Sequence, residues 1–261
     1  MILTADNTDE FISVIECLDG LDPFACRIIS LCTSYEPHLP FVDYWIIFDD
    51  ESKAPTGAIA RNGTDFILFL TDSSNLCEVS SFMRVVGALS VICSGRYSLD
   101  LFGYEKSQGP ILMRKAKLDI DGDYKIAEPN IKEAYELIKK AADKYFTPPA
   151  FENFYVDINH KLRHGTMRLL GLYENTSLAA VAMTVAESNT GAVIGAVACL
   201  PQCRSRGYGT YLVNYLTNIL VDEGKNVFVH RAENANKAFY DNLEFNRYDS
   251  WYEYHLKDDK I

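Results

Sequence analysis

The sequence predicts an α/β (α+β) protein made of two tandem halves, each a mixed, mostly antiparallel sheet flanked by helices. Three observations carry that expectation. A pattern of elements repeats at about half the chain length. Each copy contains three consecutive apolar runs joined by turn-forming residues, as hairpin-linked strands are. An apolar-faced helix follows each set of strands.

The first half opens with ILTADNTDEFISVIECL, read as a short strand, a polar turn and an amphipathic helix. YKIAEPNIKEAYELIKKAA, from Tyr124 onward, repeats that order. YWIIFDDESKAPTGAIARNGTDFILFL (Tyr44 to Leu70) then reads as three strands with turns rich in Asn, Asp, Ser and Gly, and its counterpart is RLLGLYENTSLAAVAMTVAESNTGAVIGAVACL (Arg168 to Leu200). The helices that follow are CEVSSFMRVVGAL and GTYLVNYLTNILVDEG. The halves share pattern with few identities. The polar stretch KLDIDGDY puts the boundary around Asp119 to Asp123, giving domains 1–118 and 119–261.

Composition narrows the function classes. The chain has 261 residues, 48% of them hydrophobic and 23% charged, which suits a globular protein with a real core. A formal net charge of −11 argues against binding a nucleic-acid backbone. The seven cysteines are scattered, form no CxxC pair, and read as reduced thiols rather than a disulfide framework. No apolar run has membrane-spanning length and the N-terminus has no signal-peptide pattern, so the expected location is the cytoplasm.

Against this acidic background, PQCRSRGYGTYL (Pro201 to Leu212) sets two arginines beside two glycines. GAVIGAVACL before it reads as a buried strand. After Gly209 the pairs Tyr211/Leu212, Tyr215/Leu216 and Ile219/Leu220 recur every four residues, as on one helix face. Gly224 marks the helix end and NVFVH the next strand. The loop therefore delivers the chain to a helix N-terminus, where unpaired N–H groups and the positive dipole end favour an anion. A Walker A loop would need a lysine after the glycine, and a dinucleotide fingerprint a third glycine at Leu212.

Arg204-Ser205-Arg206-Gly207-Tyr208-Gly209 resembles the Arg/Gln-x-x-Gly-x-Gly/Ala signature of GNAT-type N-acetyltransferases. VHRAENANKAFYDNLEF resembles the Asn-containing helix, tyrosine and closing Leu-Gly-Phe of the same superfamily, and the likeness runs from about Ala179 to Leu256. The first half looks like the degenerate N-terminal domain of two-domain members, so the whole resembles two tandem GNAT-like domains. Glu244 departs from the pattern, standing where the family usually has glycine.

The resemblance implies transfer of an acetyl group from acetyl-CoA to an amine, without a metal and without an acyl-enzyme. It assigns Val197 and Cys199 to main-chain pairing with the pantetheine arm, and the Cys199 N–H to polarising the thioester carbonyl. Arg204, Ser205, Arg206, Gly207, Tyr208, Gly209 and Thr210 would cradle the pyrophosphate, and Asn236 would reach the cofactor arm. Tyr240 maps to the tyrosine that protonates the departing CoA thiolate. The implied partners are acetyl-CoA and an amine-bearing acceptor, and the resemblance admits a homodimer.

Other residues are open between roles. Glu187 and His230 are the candidate general bases, beside a water chain. His160 and His164 stand at i, i+4 on a helix, a spacing that binds metals but reads better as a surface pair without a third ligand. Small apolar neighbours mark the Cys199 thiol as inert, whereas Cys203 reads either as loop packing or as a thiol whose pKa the adjacent arginines lower. The acceptor pocket of this resemblance falls on DKYFTPPAFENFYVDINHKLRHG, with Tyr145, Phe146, Phe151, Phe154, Tyr155, Glu152 and Asp157, a set that core packing explains equally well. The rival functions are an acetyl-CoA-binding regulatory module without turnover and an interaction protein whose loop binds nothing. The first half has TDSSNLCEV where the second has its Arg and Gly loop, so one cofactor site per chain is expected.

Overall fold

The structure is a computed structural model and describes residues 1–142, 147–233 and 235–257. Its contacts divide the chain into two units, Met1–Ile111 with Tyr248–Ile261, and Leu112–Arg247. The segment Asp119 to Asp123 lies inside the second unit, and the last strand belongs to the first.

In the first unit β1 (Ile2–Thr4) is followed by α1 (Thr8–Asp19) and α2 (Pro23–Ser34). Both helices start at side-chain caps: Asn7 accepts from the Glu10 N–H, and Asp22 accepts from the Phe24 and Ala25 N–H groups ahead of a proline in the first turn. The hairpin strands β2 (Val42–Phe48), β3 (Pro55–Asn62) and β4 (Asp65–Leu70) come next, then α3 (Leu76–Val85), β5 (Ser90–Ser94) and β6 (Tyr104–Arg114), which runs on into the second unit.

The second unit repeats the order with β7 (Lys125–Ala127), α4 (Ile131–Ala141), α5 (Phe151–Arg163), β8 (Leu169–Glu174), β9 (Ser177–Glu187), β10 (Gly191–Cys199), α6 (Tyr208–Asp222), β11 (Asn226–His230) and α7 (Lys237–Asn242). The final strand, β12 (Asn246–Leu256), pairs antiparallel with β5 through Trp251↔Ser94 to His255↔Ser90.

The sheet orders make the duplication explicit. The first unit runs β1-β2-β3-β4-β5 and the second β7-β8-β9-β10-β11. In each, the meander is antiparallel and the last pair, β4 with β5 or β10 with β11, is parallel. The parallel pair requires a crossover, which α3 and α6 supply.

Packing in the second unit forms two layers on its sheet. One face holds α6, whose Leu212, Val213, Leu216 and Leu220 are fully buried with Val227, Val229 and Ile194. Each such side chain stabilises by about 1.5–3 kcal/mol. The other face holds α4 and α5, with Leu137, Ile138, Phe154 and Ile158 against Val181 and Met183. Gly224, at φ 79°, ends α6 in the left-handed conformation that leaves no Cβ clash.

Candidate active site

The site begins where two strands part. β10 and β11 pair from Gly191↔Asn226 to Ile194↔Val229 and no further, while β10 continues along β9 to Cys199↔Ala180. A register shift between Gly195 and Ala198 bulges β10, and Ala196 there takes φ 44°. Beyond Ile194 the side of β10 that faced β11 is released from the ladder. The Leu200 N–H donates to the Ala179 carbonyl at 3.0 Å on β9, so by strand alternation the Cys199 N–H points the opposite way, toward the opening.

Into the same opening comes the start of α6. Pro201–Cys203 form a short 3-10 turn, Ser205 takes φ 61°, and the cap residue Gly207 takes φ 80° with no side chain closing the helix end. The first α6 amide to return to the cap is Tyr211, at 2.9 Å to the Gly207 carbonyl. The N–H groups of Tyr208, Gly209 and Thr210 precede that bond and stand at the positive end of the helix. Alternating left-handed residues of this kind make an anion-binding concavity.

A cavity of about 670 Å³ unites these parts. Val197, Cys199, Arg204, Ser205, Gly207, Tyr208, Gly209, Thr210, Asn236 and Tyr240 all line it. Arg206 does not. It pairs with Glu174 at the end of β8, at 2.9 Å, and the Tyr208 hydroxyl donates to the same carboxylate at 2.9 Å. Glu174 thus braces the loop from outside, a role hidden in the sequence because it lies 32 residues from Arg206. Arg204 donates to the Ala141 carbonyl at 3.2 Å, at the end of α4.

Tyr240 sits on α7 with 8% exposure, its ring edge-on to Phe239 at 5.0 Å and to Phe245 at 5.8 Å. Burial pushes its phenol up to about 12, opposed by the charge of Arg231. It therefore stays protonated at any working pH. Arg231 donates to the carbonyls of Ala232, Glu233 and Ala235 at 3.2, 2.9 and 2.8 Å, which folds the loop before α7. At the other end of α7, the buried Arg114 donates to the Leu243 carbonyl at 2.8 Å and to Asn214 of α6 at 2.6 Å. Asn236 takes φ 51° as the cap of α7.

Of the two base candidates, His230 lines the cavity and Glu187 does not. Glu187 is buried at the far end of the β9–β10 ladder, accepting from Thr184 at 2.7 Å and pairing with Lys225 at 2.7 Å and Arg168 at 3.2 Å. Burial raises the Cys199 thiol above its ordinary range, with Cys203 adding to the effect, so it carries no thiolate for attack. Phe154 belongs to the α4–α5 core, Phe151 packs on Tyr135 with ring centroids 5.1 Å apart, Tyr155 is exposed, and Asp157 pairs with Lys161 at 2.9 Å. Tyr145 and Phe146 lie outside the described residues. The rings of His160 and His164 lie against each other, tilted by 31° with centroids 4.3 Å apart.

The first unit answers each of these features differently. Its parallel ladder ends at Ile67↔Ile92, yet β3 and β4 keep an unbroken register. The N-terminus of α3 is closed by the Asn75 side chain and carries Glu78 in its first turn. Tyr97, Leu99 and Leu101, from the loop after β5, are buried in the core with Val79 and Met83, and the Tyr97 hydroxyl donates to Asp72 at 3.0 Å.

Comparison with known proteins agrees with this geometry. Residues 169–254 match the family model of FR47-like proteins. No curated protein matches the sequence. Among solved structures, a tandem GNAT protein from the clavulanic acid biosynthesis pathway covers 100% of this chain, with 99% of its own covered, at TM-score 0.61 and 13% identity. A Drosophila protein aligns over 98% of both chains at TM-score 0.61 and 10% identity. A GCN5-related N-acetyltransferase from Kribbella flavida aligns over 91% of this chain and 95% of its own, at TM-score 0.58 and 13% identity. Identities this low speak of fold. The fold is that of the GNAT acetyltransferases. Its particular form is the tandem one, two copies along a single chain, with the splayed strands and open helix end kept in the second.

Proposed function

We propose that the second unit transfers the acetyl group of acetyl-CoA directly to a primary amine on a small-molecule or peptide acceptor. One observation carries the reading: the released edge of β10, the uncapped start of α6 and Tyr240 all line a single cavity. Acetyl-CoA would supply the acetyl thioester. The residues present suit it: the Val197–Cys199 edge for the pantetheine amides, Arg204 and Ser205 with the amides of Tyr208 to Thr210 for the pyrophosphate, and Asn236 along the arm.

In this reading the Cys199 N–H donates to the thioester carbonyl oxygen, where negative charge grows during transfer. The Tyr240 hydroxyl gives its proton to the leaving sulfur. Arg206 contributes through Glu174, holding the loop rather than the ligand. The chain would act in the cytoplasm, in keeping with the absence of any described helix long and apolar enough to cross a membrane. No metal-binding cluster of His, Cys, Asp or Glu occurs among the described residues, and the proposed transfer requires none.

The test has two arms. Acetyl-CoA at millimolar concentration should raise the melting temperature, and no shift would sink the reading. Thiol release with polyamines, amino acids and peptides should then identify an amine that turns over. Binding without release across the panel would make the chain a non-catalytic acetyl-CoA-binding module instead.

A further inference from the structure

Removing a proton from the acceptor ammonium is fastest where a side chain in the cavity can accept it. Its titratable lining among the described residues is Cys199, Cys203, Arg204, Tyr208, His230, Arg231 and Tyr240, with no Asp or Glu. Guanidinium groups do not accept protons at working pH. Tyr240 is held protonated and the Cys199 thiol is raised by burial. The Tyr208 hydroxyl already donates to Glu174, and Cys203 is packed into the core cluster with α6. Imidazole is the remaining side chain, and its ordinary pKa falls near neutrality.

Strand geometry puts that imidazole on the appropriate face. Val227 and Val229 of β11 pack with α6, together with Val197 and Cys199. By the period of two, Phe228 and His230 take the opposite face, the one on which Ala196 and Ala198 meet the α4–α5 cluster. Ile138 and Ala141 of α4, with Ala142 just after it, line the cavity on that side, and both ring nitrogens of His230 are buried. The donor contacts therefore lie toward α6 and the imidazole lies toward α4.

Resting on the acetyltransferase reading, we infer that His230 is the general base, taking the proton from the acceptor ammonium where β11 diverges from β10. The step is a proton transfer alone. One N–H bond of the ammonium breaks, one N–H bond forms on the imidazole, and the imidazolium passes the proton to water after transfer. The acceptor enters from the α4 side, with its nitrogen between His230 and the β10 edge.

The test compares wild type with H230Q and H230A. Calorimetry should give acetyl-CoA affinity within about threefold of wild type for both. With the amine found in the panel, kcat should fall about 100-fold, the usual worth of a positioned base. The acidic limb of the wild-type pH profile should vanish in H230Q. Added imidazole should restore part of the rate to H230A. An NMR titration of the His230 ring in wild type with acetyl-CoA should give a midpoint matching that limb. Retained rate, or a retained acidic limb, overturns the inference and leaves the acetyltransferase reading standing. Loss of acetyl-CoA binding in both variants overturns it too, making His230 a donor-site residue. A wild type that binds acetyl-CoA and releases no thiol removes the reading and the base together.

Discussion

Arg206 is paired with Glu174 at 2.9 Å, and that carboxylate also accepts from the Tyr208 hydroxyl. The two arginines of the loop thus do different things. Arg204 lines the cavity, whereas Arg206 is spent on the frame that keeps Gly207 and the start of α6 in place. Exposed ion pairs are individually worth little, but this one shares its carboxylate with a partly buried hydroxyl and fixes a loop containing two left-handed residues.

The two glycines of the loop should separate stability from binding. Gly207 has φ 80° and open space around it, so Gly207→Ala meets no clash but strains the backbone by about 1–2 kcal/mol. Its melting temperature should drop by about 2–4 °C per kcal/mol. A Cβ on Gly209 would rest 3.5 Å from the Phe239 ring, an ordinary contact within a helix. Gly209→Ala should keep or raise the melting temperature, since alanine is the better helix former by about 1 kcal/mol. Its acetyl-CoA affinity should nonetheless fall about tenfold or more, measured by calorimetry. Unchanged affinity would remove Gly209 from the cradle.

Tyr240→Phe deletes one oxygen from a packed ring. Turnover should fall about 10- to 100-fold while acetyl-CoA affinity changes little. Because the phenol is pushed up to about 12, Tyr240 should contribute no alkaline limb to the wild-type profile below about pH 10. A variant with full turnover would take the tyrosine out of the chemistry.

Calorimetry on the full chain should count one acetyl-CoA per molecule. In the first unit the matching helix end is closed by Asn75 and made acidic by Glu78, and Tyr97 and Leu99 pack into the core there. A stoichiometry of two would contradict that reading of the first unit.

Glu244 occupies φ 55°, the left-handed region that a glycine would enter without cost. Comparing Glu244→Gly with Glu244→Ala isolates this term, because both remove the same carboxylate near Arg114. The glycine variant should be the more stable by about 1 kcal/mol in denaturant unfolding. Equal stability would mean that the turn relaxes around the Cβ.

Asp22 gives a pH signature in the first unit. Burial raises its carboxyl to about 6, although the Phe24 and Ala25 amides pull the other way. An acid with a higher pKa in the folded state binds its proton more tightly there, so the native state loses stability as pH rises from about 4 to 6. Asp22→Asn keeps the cap acceptor and removes the titration. Between those pH values the wild type should lose up to about 3 kcal/mol relative to the variant, seen as a shift in denaturant midpoint. Parallel pH dependence of the two proteins would overturn the assignment.

Local chemistry was legible in the sequence wherever one segment determined the outcome. Hairpin turns gave β2 to β4 and β8 to β10, and four-residue periodicity with Gly224 gave α6 within a residue or two at each end. That the loop opens a helix was readable because its motif is short and contiguous. What escaped depends on partners far along the chain. Glu174 shows no local sign that it will hold Arg206 and Tyr208, and Ala196 carries no mark of its positive φ. Arg114 looks like any strand-end arginine until Asn214 and Leu243 close on it. Likewise, a polar stretch suggests a boundary at Asp119 to Asp123, but only long-range pairing sends β12 to β5.

That last pairing sets an order of events during synthesis. Residues Leu112–Arg247 form one uninterrupted stretch, and β7 to β11 are all synthesised before β12. The first unit, although synthesised first, has a bare β5 edge until Trp251 to His255 emerge. The usual N-to-C sequence of domain completion is therefore reversed. From the synthesis of β5 to that of β12 the nascent chain carries an unpaired strand edge, the feature most exposed to wrong pairing with another chain. Trp251 to His255 act as a latch on what was built first.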